Sequence, residues 1–151
     1  MRSDCDTSRC TGCNILLTNK PFHGKMDQKT IENCDILFLS DSLKIDFETS
    51  YINFFSNREL DLINRCLKRY PGFNVSYSTS IKCPDVKEND LKPIDRDICR
   101  KYLYETVENA NPKLIFACGN LPLIMLLKKS GITDKRGSLF ILEHNEKEYK
   151  V

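Results

Sequence analysis

Short apolar runs interrupt a largely polar chain and predict the strands of a sheet. Each run is rich in branched or aromatic side chains and ends in polar residues, as expected of a buried strand that opens onto a loop. The predicted strands are residues 35–40, 73–81 and 114–118, followed by a hairpin of residues 138–142 and a last strand that starts at Tyr149. We expect the hairpin turn at residues 144–147.

Amphipathic stretches between these runs predict three helices. The first covers residues 53–69 and the second covers residues 96–110, where Asp95 or Asp97 supplies a helix cap. The third covers residues 121–130. Strand and helix alternate three times, which predicts an α/β fold of three layers, α/β/α, around a mostly parallel central sheet with a C-terminal hairpin. The same order of elements is also compatible with an incomplete sheet.

One domain accounts for the whole chain of 151 residues. Residues 1–30 are polar and irregular, so we expect a loop-rich arm held by a metal cluster, whereas residues 31–151 form the α/β core. The loop of residues 83–93 carries two prolines and many charges, and we expect it on the surface.

Ligands of open α/β sheets bind beyond the carboxyl ends of the strands. In this chain those ends are predicted at residues 40–42, at Thr79 and Ser80, and at Gly119 and Asn120. The last pair also precedes a helix, whose free amides favour an anion.

Composition and charge describe an ordinary globular protein. The chain is 40% hydrophobic and 29% charged, with a formal net charge of +2, so any basic face would have to be local. No apolar run is long enough for a membrane span and the first residues do not form a signal peptide, which predicts an intracellular protein, in cytoplasm or nucleoid, or in a host cell if viral. In that reducing setting, eight cysteines favour metal ligation over a disulfide framework.

Four of the cysteines have a spacing that suggests one metal centre. Cys10 and Cys13 form a C-x2-C pair, and Cys83 and Cys99 form a C-x15-C pair. A cluster of several irons accommodates the long second spacing more easily than zinc, the alternative metal, and its role could be purely structural. Cys5 is either a free thiol or a substitute ligand. The other three cysteines adjoin apolar runs and are expected to be buried: Cys34, Cys66 and Cys118.

These cysteines, with "DILFLSDS", "YSTSIKC" and "NPKLIFACGN", resemble the iron–sulfur uracil-DNA glycosylases of families 4 and 5, over nearly the whole chain from Cys10 onward. The resemblance implies an α/β/α fold and a uracil base flipped out of DNA into a pocket at the strand ends. It also implies a 4Fe–4S cluster, ligated by Cys10, Cys13, Cys83 and Cys99.

The family's pocket residues match only in part. Asp41 corresponds to the acid that positions water, although the surrounding glycine and proline are replaced; a polar cap of the strand is the simpler role. Phe54 or Phe55 corresponds to the aromatic that stacks on the base, although core packing is the usual role at such a position. Thr79 takes the place of the asparagine that reads uracil, and a hydroxyl cannot offer an amide's paired donor and acceptor. Asn120 is the remaining candidate contact to substrate.

The family's His-Pro-Ser motif follows the last hairpin strand, which here is expected to start just before Val151. Either the chain is a fragment or the protein has lost the chemistry. His144 falls in the predicted hairpin turn and is not assigned the missing role; like His23, we expect it to be exposed.

Three functions therefore compete. The first is a DNA-binding iron–sulfur module of glycosylase fold, non-catalytic or weakly catalytic, which acts with replication or repair proteins. The second is an active uracil-DNA glycosylase that uses Asp41, and the third is a structural subunit that does not bind nucleic acid. In the first two, the DNA backbone is expected to contact a basic group at the end of the third helix and in the loop after it: Lys128, Lys129, Lys135 and Arg136.

Overall fold

The computed structural model describes residues 10–17, 32–46 and 52–151. The strands in these residues are β1 (Ile36–Ser42), β2 (Lys44–Ile45), β3 (Ile52–Asn53), β4 (Val75–Ile81), β5 (Leu114–Ala117), β6 (Ile141–His144) and β7 (Lys147–Lys150). The α-helices are α1 (Asn57–Arg69), α2 (Pro93–Ala110), α3 (Asn120–Leu127) and α4 (Ile132–Lys135). Two single 3-10 turns, Ile15–Leu17 and Glu88–Asp90, complete the described elements.

Five strands form an open central sheet in the order β4-β1-β5-β7-β6. β1 lies parallel to both β4 and β5, and β7 lies parallel to β5, so only β6 runs antiparallel to its neighbour. The predicted mostly parallel sheet with a C-terminal hairpin is confirmed. β2 and β3 form a separate antiparallel pair that the sequence does not predict, and β3 ends at Asn53, where the first helix is predicted to begin.

Helices cover both faces of the sheet because side chains alternate along the buried strand β1. Ile36 and Phe38 pack with Ile63 of α1 on one face. Leu37 and Leu39 belong to the larger core on the other face, which includes residues of α2 and α3. This arrangement confirms the predicted α/β class with flanking helices.

The helix boundaries follow local caps. The first helix is predicted from residue 53 but α1 starts at Asn57, because Ser56 forms a capping box with Glu59: the Ser56 amide donates to Glu59 Oε2 at 2.7 Å, and Ser56 Oγ accepts from the Glu59 amide at 3.4 Å. The third helix ends at Leu127, three residues early, since Lys128 adopts the left-handed conformation with φ of 55°.

The α2 helix is tied to the end of α3. Arg100 Nε donates to the Met125 carbonyl at 2.9 Å, and Tyr104 Oη donates to the Leu126 carbonyl at 3.2 Å. These bonds satisfy carbonyls that the last turn of α3 cannot satisfy itself. None of the helices in the described residues has the length and apolar character needed to cross a membrane.

Two predictions about exposure are wrong. The loop after β4 is not wholly on the surface, because Cys83, Val86 and Leu91 are buried in the larger core. Cys66, predicted to be buried, is exposed, since the buried stripe of α1 is carried by Ile63 instead. Cys34 is buried as predicted, and Cys118 is partly buried.

The C-terminal hairpin is tighter than predicted. Asn145 and Glu146 both have positive φ, 48° and 60°, which is the conformation of a two-residue turn between twisted strands. The last strand therefore starts at Lys147 rather than at Tyr149. β7 then pairs with β5 at Leu114 and Lys150.

Candidate functional site

The four cysteines with metal-ligand spacing meet in the larger core, and we call them the cysteine corner: Cys10, Cys13, Cys83 and Cys99. All four are at most 5% exposed, and none is in a disulfide bond. Three separate segments supply them. Cys10 and Cys13 flank a turn closed by a 3.2 Å hydrogen bond from the Cys13 amide to the Cys10 carbonyl. Cys83 lies just after β4, and Cys99 lies on α2.

The three other thiols of the cysteine corner act on the electrostatics of Cys99. Burial raises the pKa of Cys99 well above its usual range, and the nearby thiols of Cys83, Cys13 and Cys10 raise it further, as does the Asp95 carboxylate. Four thiolates at this place would repel one another in a medium of low dielectric. A bound cation would compensate that repulsion, so the donor set fits a thiolate-ligated metal centre.

No group of three or more His, Cys, Asp or Glu side chains in residues 10–17, 32–46 and 52–151 is arranged to hold a metal ion as the side chains stand. What favours a metal centre at this corner is the burial of four thiols in one core cluster. Cys10 Sγ also lies 3.6 Å from Tyr102 Oη. Tyr102 is one helical turn after Cys99 on α2.

A second group of polar residues lies at the carboxyl ends of β1 and β5, and we call it the strand-end site: Asp41, Glu88, Gly119 and Asn120. A Cβ built on Gly119 would lie 2.7 Å from Asp41 Oδ1, so the glycine allows the carboxylate to approach the backbone. Asp41 as a residue is exposed. Its carboxylate is nevertheless crowded, and this desolvation, together with the charge of Glu88, raises the pKa of Asp41.

Asn120 is held by the fold on both sides of its amide. Its Nδ2 donates to the two carboxylate oxygens of Glu88 at 3.0 and 2.9 Å, and its Oδ1 accepts from the Gly131 amide at 3.1 Å. Sequence analysis identifies Asn120 as a candidate but misses Glu88, which is 32 residues away in the chain and is brought in by the 3-10 turn after β4.

The remaining candidate pocket residues are placed in or near the core. Phe55 is only 2% exposed and meets the Tyr77 ring edge-on, with the centroids 6.0 Å apart. Phe54 is partly buried against the same core. Thr79 is fully buried and its Oγ1 donates to the Ile81 carbonyl at 2.7 Å. The structure therefore brings Asp41 and Asn120 to one place but encloses Phe55 and Thr79.

The predicted basic group gathers around the end of α3 and the α4 helix. Lys128, Lys129 and Arg136 are exposed, and Lys135 is partly buried. Lys129 Nζ lies 4.5 Å above the Phe140 ring, and Lys135 Nζ donates to the Ser130 carbonyl. Lys135 and Arg136 line a cavity of about 560 Å³, and residues of β5 line the same cavity.

His144 differs from its prediction. Instead of being exposed it is half-buried: its Nε2 lies 3.1 Å from Glu108 Oε1, and its ring centroid lies 4.3 Å from that of Tyr104, with the two rings tilted by 40°. The hairpin folds back on α2, which explains the contact. His23 and Cys5 lie outside the described residues.

Comparison with known proteins adds no family assignment: no protein-family model and no curated protein matches the chain.

Proposed function

We propose that this chain is a DNA-binding module that holds a 4Fe–4S cluster in a fold like that of the uracil-DNA glycosylases, and that it is non-catalytic or weakly catalytic. In this role it would act with replication or repair proteins. One observation carries the proposal: four buried thiols come from three separate segments, none of them is in a disulfide, and three of them lie within electrostatic reach of the fourth, Cys99.

The ligands of the proposed cluster are Cys10, Cys13, Cys83 and Cys99. A cluster of this kind would join the N-terminal turn, the loop after β4 and the α2 helix, and its cationic irons would offset the repulsion between the ligand thiolates. Zinc held by the same thiols is the competing metal.

Weak catalysis is proposed because the strand-end site is already occupied by internal contacts. Both ends of the Asn120 amide have partners within the fold, and the Thr79 hydroxyl donates to a backbone carbonyl. A flipped base would have to displace those bonds before it could be read, and displacement at the buried Thr79 would leave polar groups without partners.

Binding of DNA is proposed at the basic group around α3 and α4. The test is titration of single- and double-stranded oligonucleotides at several salt concentrations, with Lys128, Lys129, Lys135 and Arg136 replaced by Gln. We expect affinity to fall steeply with salt, and the variant's salt slope to decrease by about 0.9 for each phosphate that the variant no longer neutralises.

A matched control exchanges two exposed basic residues of α1, Lys68 and Arg69, for Gln. This control should retain the wild-type slope. Absence of binding even at low salt would instead favour the structural subunit, and unchanged affinity of the fourfold variant would remove the proposed face.

An active glycosylase is the second candidate, favoured by the position of Asp41 beside Gly119 at the end of β1 and by its raised pKa. Incubation with a uracil-containing oligonucleotide tests it through the appearance of abasic product. Appreciable turnover that disappears in Asp41→Asn would replace the non-catalytic proposal with this one. We expect little or no product.

A further inference from the structure

Asp95 is the most completely buried acidic residue near the cysteine corner. It is the third residue of α2 and its exposure is 0%. Buried carboxylates are costly unless hydrogen bonds replace the water that they lose, so the partners of Asp95 indicate its role.

Most of those partners lie in the turn of residues 10–14, which we call the cysteine turn. Asp95 Oδ1 accepts from the Asn14 amide at 2.6 Å and from Asn14 Nδ2 at 3.1 Å. The Cys13 side chain also hydrogen-bonds to the carboxylate. Burial raises the pKa of Asp95, but these bonds and that from the Lys92 amide outweigh the effect and lower it. The carboxylate is thus charged at neutral pH.

Capping of α2 alone does not explain this arrangement. Asp95 Oδ2 accepts from the Lys92 amide at 3.0 Å, which is the usual reach from the third helical residue back to the cap. Asp90 makes the same bond to the Lys87 amide at 2.9 Å in the preceding 3-10 turn, yet Asp90 is exposed. The second oxygen of Asp95 is directed to a segment 81 residues away in the sequence.

We propose that Asp95 is a positioning residue that fastens the cysteine turn to the start of α2 and thereby places Cys10 and Cys13 beside Cys99. One carboxylate oxygen orders the helix that carries Cys99, and the other orders the turn that carries the first two thiols. The approach of Cys10 to Tyr102 and the burial of Ile15 add further contacts between this segment and the core.

The role in metal binding rests on the proposed cluster, but the placement of the thiols can be measured without metal. The experiment uses full-length, reduced, metal-free protein and follows alkylation of each cysteine by iodoacetamide with peptide mass spectrometry. The variants are Asp95→Ala, Asp95→Asn and Asn14→Ala, and Asp90→Asn is the matched capping control.

We expect Asp95→Ala to accelerate labelling of Cys10 and Cys13 at least roughly tenfold, because this exchange removes the hydrogen bonds that hold the cysteine turn, while Cys83 changes little. Cys99 is compared only in Asn14→Ala, because Asp95→Ala also removes the capping bond of the helix that carries Cys99. Asp95→Asn keeps one acceptor and should have a smaller effect. Asn14→Ala, which leaves the α2 cap intact, should accelerate the same two thiols several-fold. Asp90→Asn should leave all four rates unchanged.

Equal acceleration of all four cysteines in Asn14→Ala, or no acceleration of Cys10 and Cys13 in any variant, would overturn the proposal. Asn14→Ala alone decides if Asp95→Ala does not fold. Iron content of the anaerobically prepared wild type separates the two claims: selective labelling in an iron-free protein would refute the cluster and leave the role of Asp95 standing.

Discussion

The cysteine corner and the strand-end site differ in what stabilises their chemically active groups. At the corner, burial and the three nearby thiols of Cys83, Cys13 and Cys10 raise the pKa of Cys99. At the strand ends, the amide of Asn120 bridges Glu88 and the Gly131 backbone. The first arrangement gains from an added cation, whereas the second is already stabilised by internal hydrogen bonds.

For this reason we assign cofactor binding to the cysteine corner and at most weak catalysis to the strand-end site. A site that binds a ligand tightly needs groups whose best partner is the ligand. The corner meets that condition for a metal centre. In the strand-end site, Asn120 already has its best partners within the fold and is least available to a ligand. Asp41 is the most available, because its raised pKa indicates that its surroundings favour the neutral form.

The strongest test of the contrast is Cys99→Ser. We expect this exchange to abolish stable iron binding and the associated visible absorbance, because a hydroxyl is a poor replacement for a thiolate ligand of iron. Iron analysis and an optical spectrum of anaerobic protein measure the effect. Cys66→Ser on the exposed side of α1 is the control and should keep the wild-type iron content.

Phe55→Ala distinguishes a core residue from a base-stacking residue. Because Phe55 is 2% exposed and packs on Tyr77, we expect the free energy of unfolding to fall by about 3–5 kcal/mol in urea denaturation. Leu62→Ala, on the exposed side of α1, should change it little. Normal stability with a selective loss of DNA affinity would restore the stacking role.

Gly119→Ala probes the close approach of Asp41. The new methyl would meet Asp41 Oδ1 at 2.7 Å, while Gly72→Ala, also at positive φ, would meet nothing within 4 Å. Gly119, with φ of 130° and ψ of 174°, also has a backbone conformation almost confined to glycine, so we expect Gly119→Ala to cost at least about 1 kcal/mol more than Gly72→Ala. Equal costs in urea denaturation would contradict this expectation.

The pH dependence of Asp41→Asn reports on the same carboxylate. The pKa of Asp41 is raised in the folded protein, so its ionised form opposes folding once the pH exceeds the unfolded value of about 3.9. We therefore expect the variant to be more stable than wild type at pH 7 and the difference to vanish at about pH 3. Thermal unfolding across this range measures it, and a less stable variant at pH 7 would contradict the assigned direction.

Glu59 should behave in the opposite way. Burial raises its pKa, but hydrogen bonds from Ser56 and Lys44 outweigh this and lower the pKa to about 2. Its contribution is present at neutral pH and is lost as the pH falls toward 2. Because the side chain is 50% exposed, we expect Glu59→Gln to cost less than about 1 kcal/mol at pH 7. A difference from wild type that persists at pH 2 would exclude this explanation.

The sequence predicts the sheet well because the neighbouring strands β1 and β4 are largely buried. The runs around the buried residues Leu37, Ile81 and Ile115 predict strands without further information. Because both faces of a parallel sheet must be covered, the helices follow from the strands. The start of α1 was also predictable, since Ser56 and Glu59 have the spacing of a capping box. The two-residue strands β2 and β3 are too short to leave a periodic signal.

Tertiary contacts account for the features that sequence reasoning missed. Val86 and Leu91 are isolated apolar residues in a charged loop, and only their contact with the core shows that they are buried. The spacing of the cysteines suggests that they converge. The hydrogen bonds from Asn14 to Asp95 and from Asn120 to Glu88, however, join segments that are far apart in the sequence. Local patterns contain no information about such pairs.

Whether the cysteine corner holds a 4Fe–4S cluster is decided by the iron and acid-labile sulfide content of anaerobically purified wild-type protein, measured together with its optical spectrum. We expect about four irons and four sulfides per chain and a broad absorbance in the blue. A colourless protein that carries zinc, or no metal after anaerobic reconstitution with iron and sulfide, would contradict the proposed cluster.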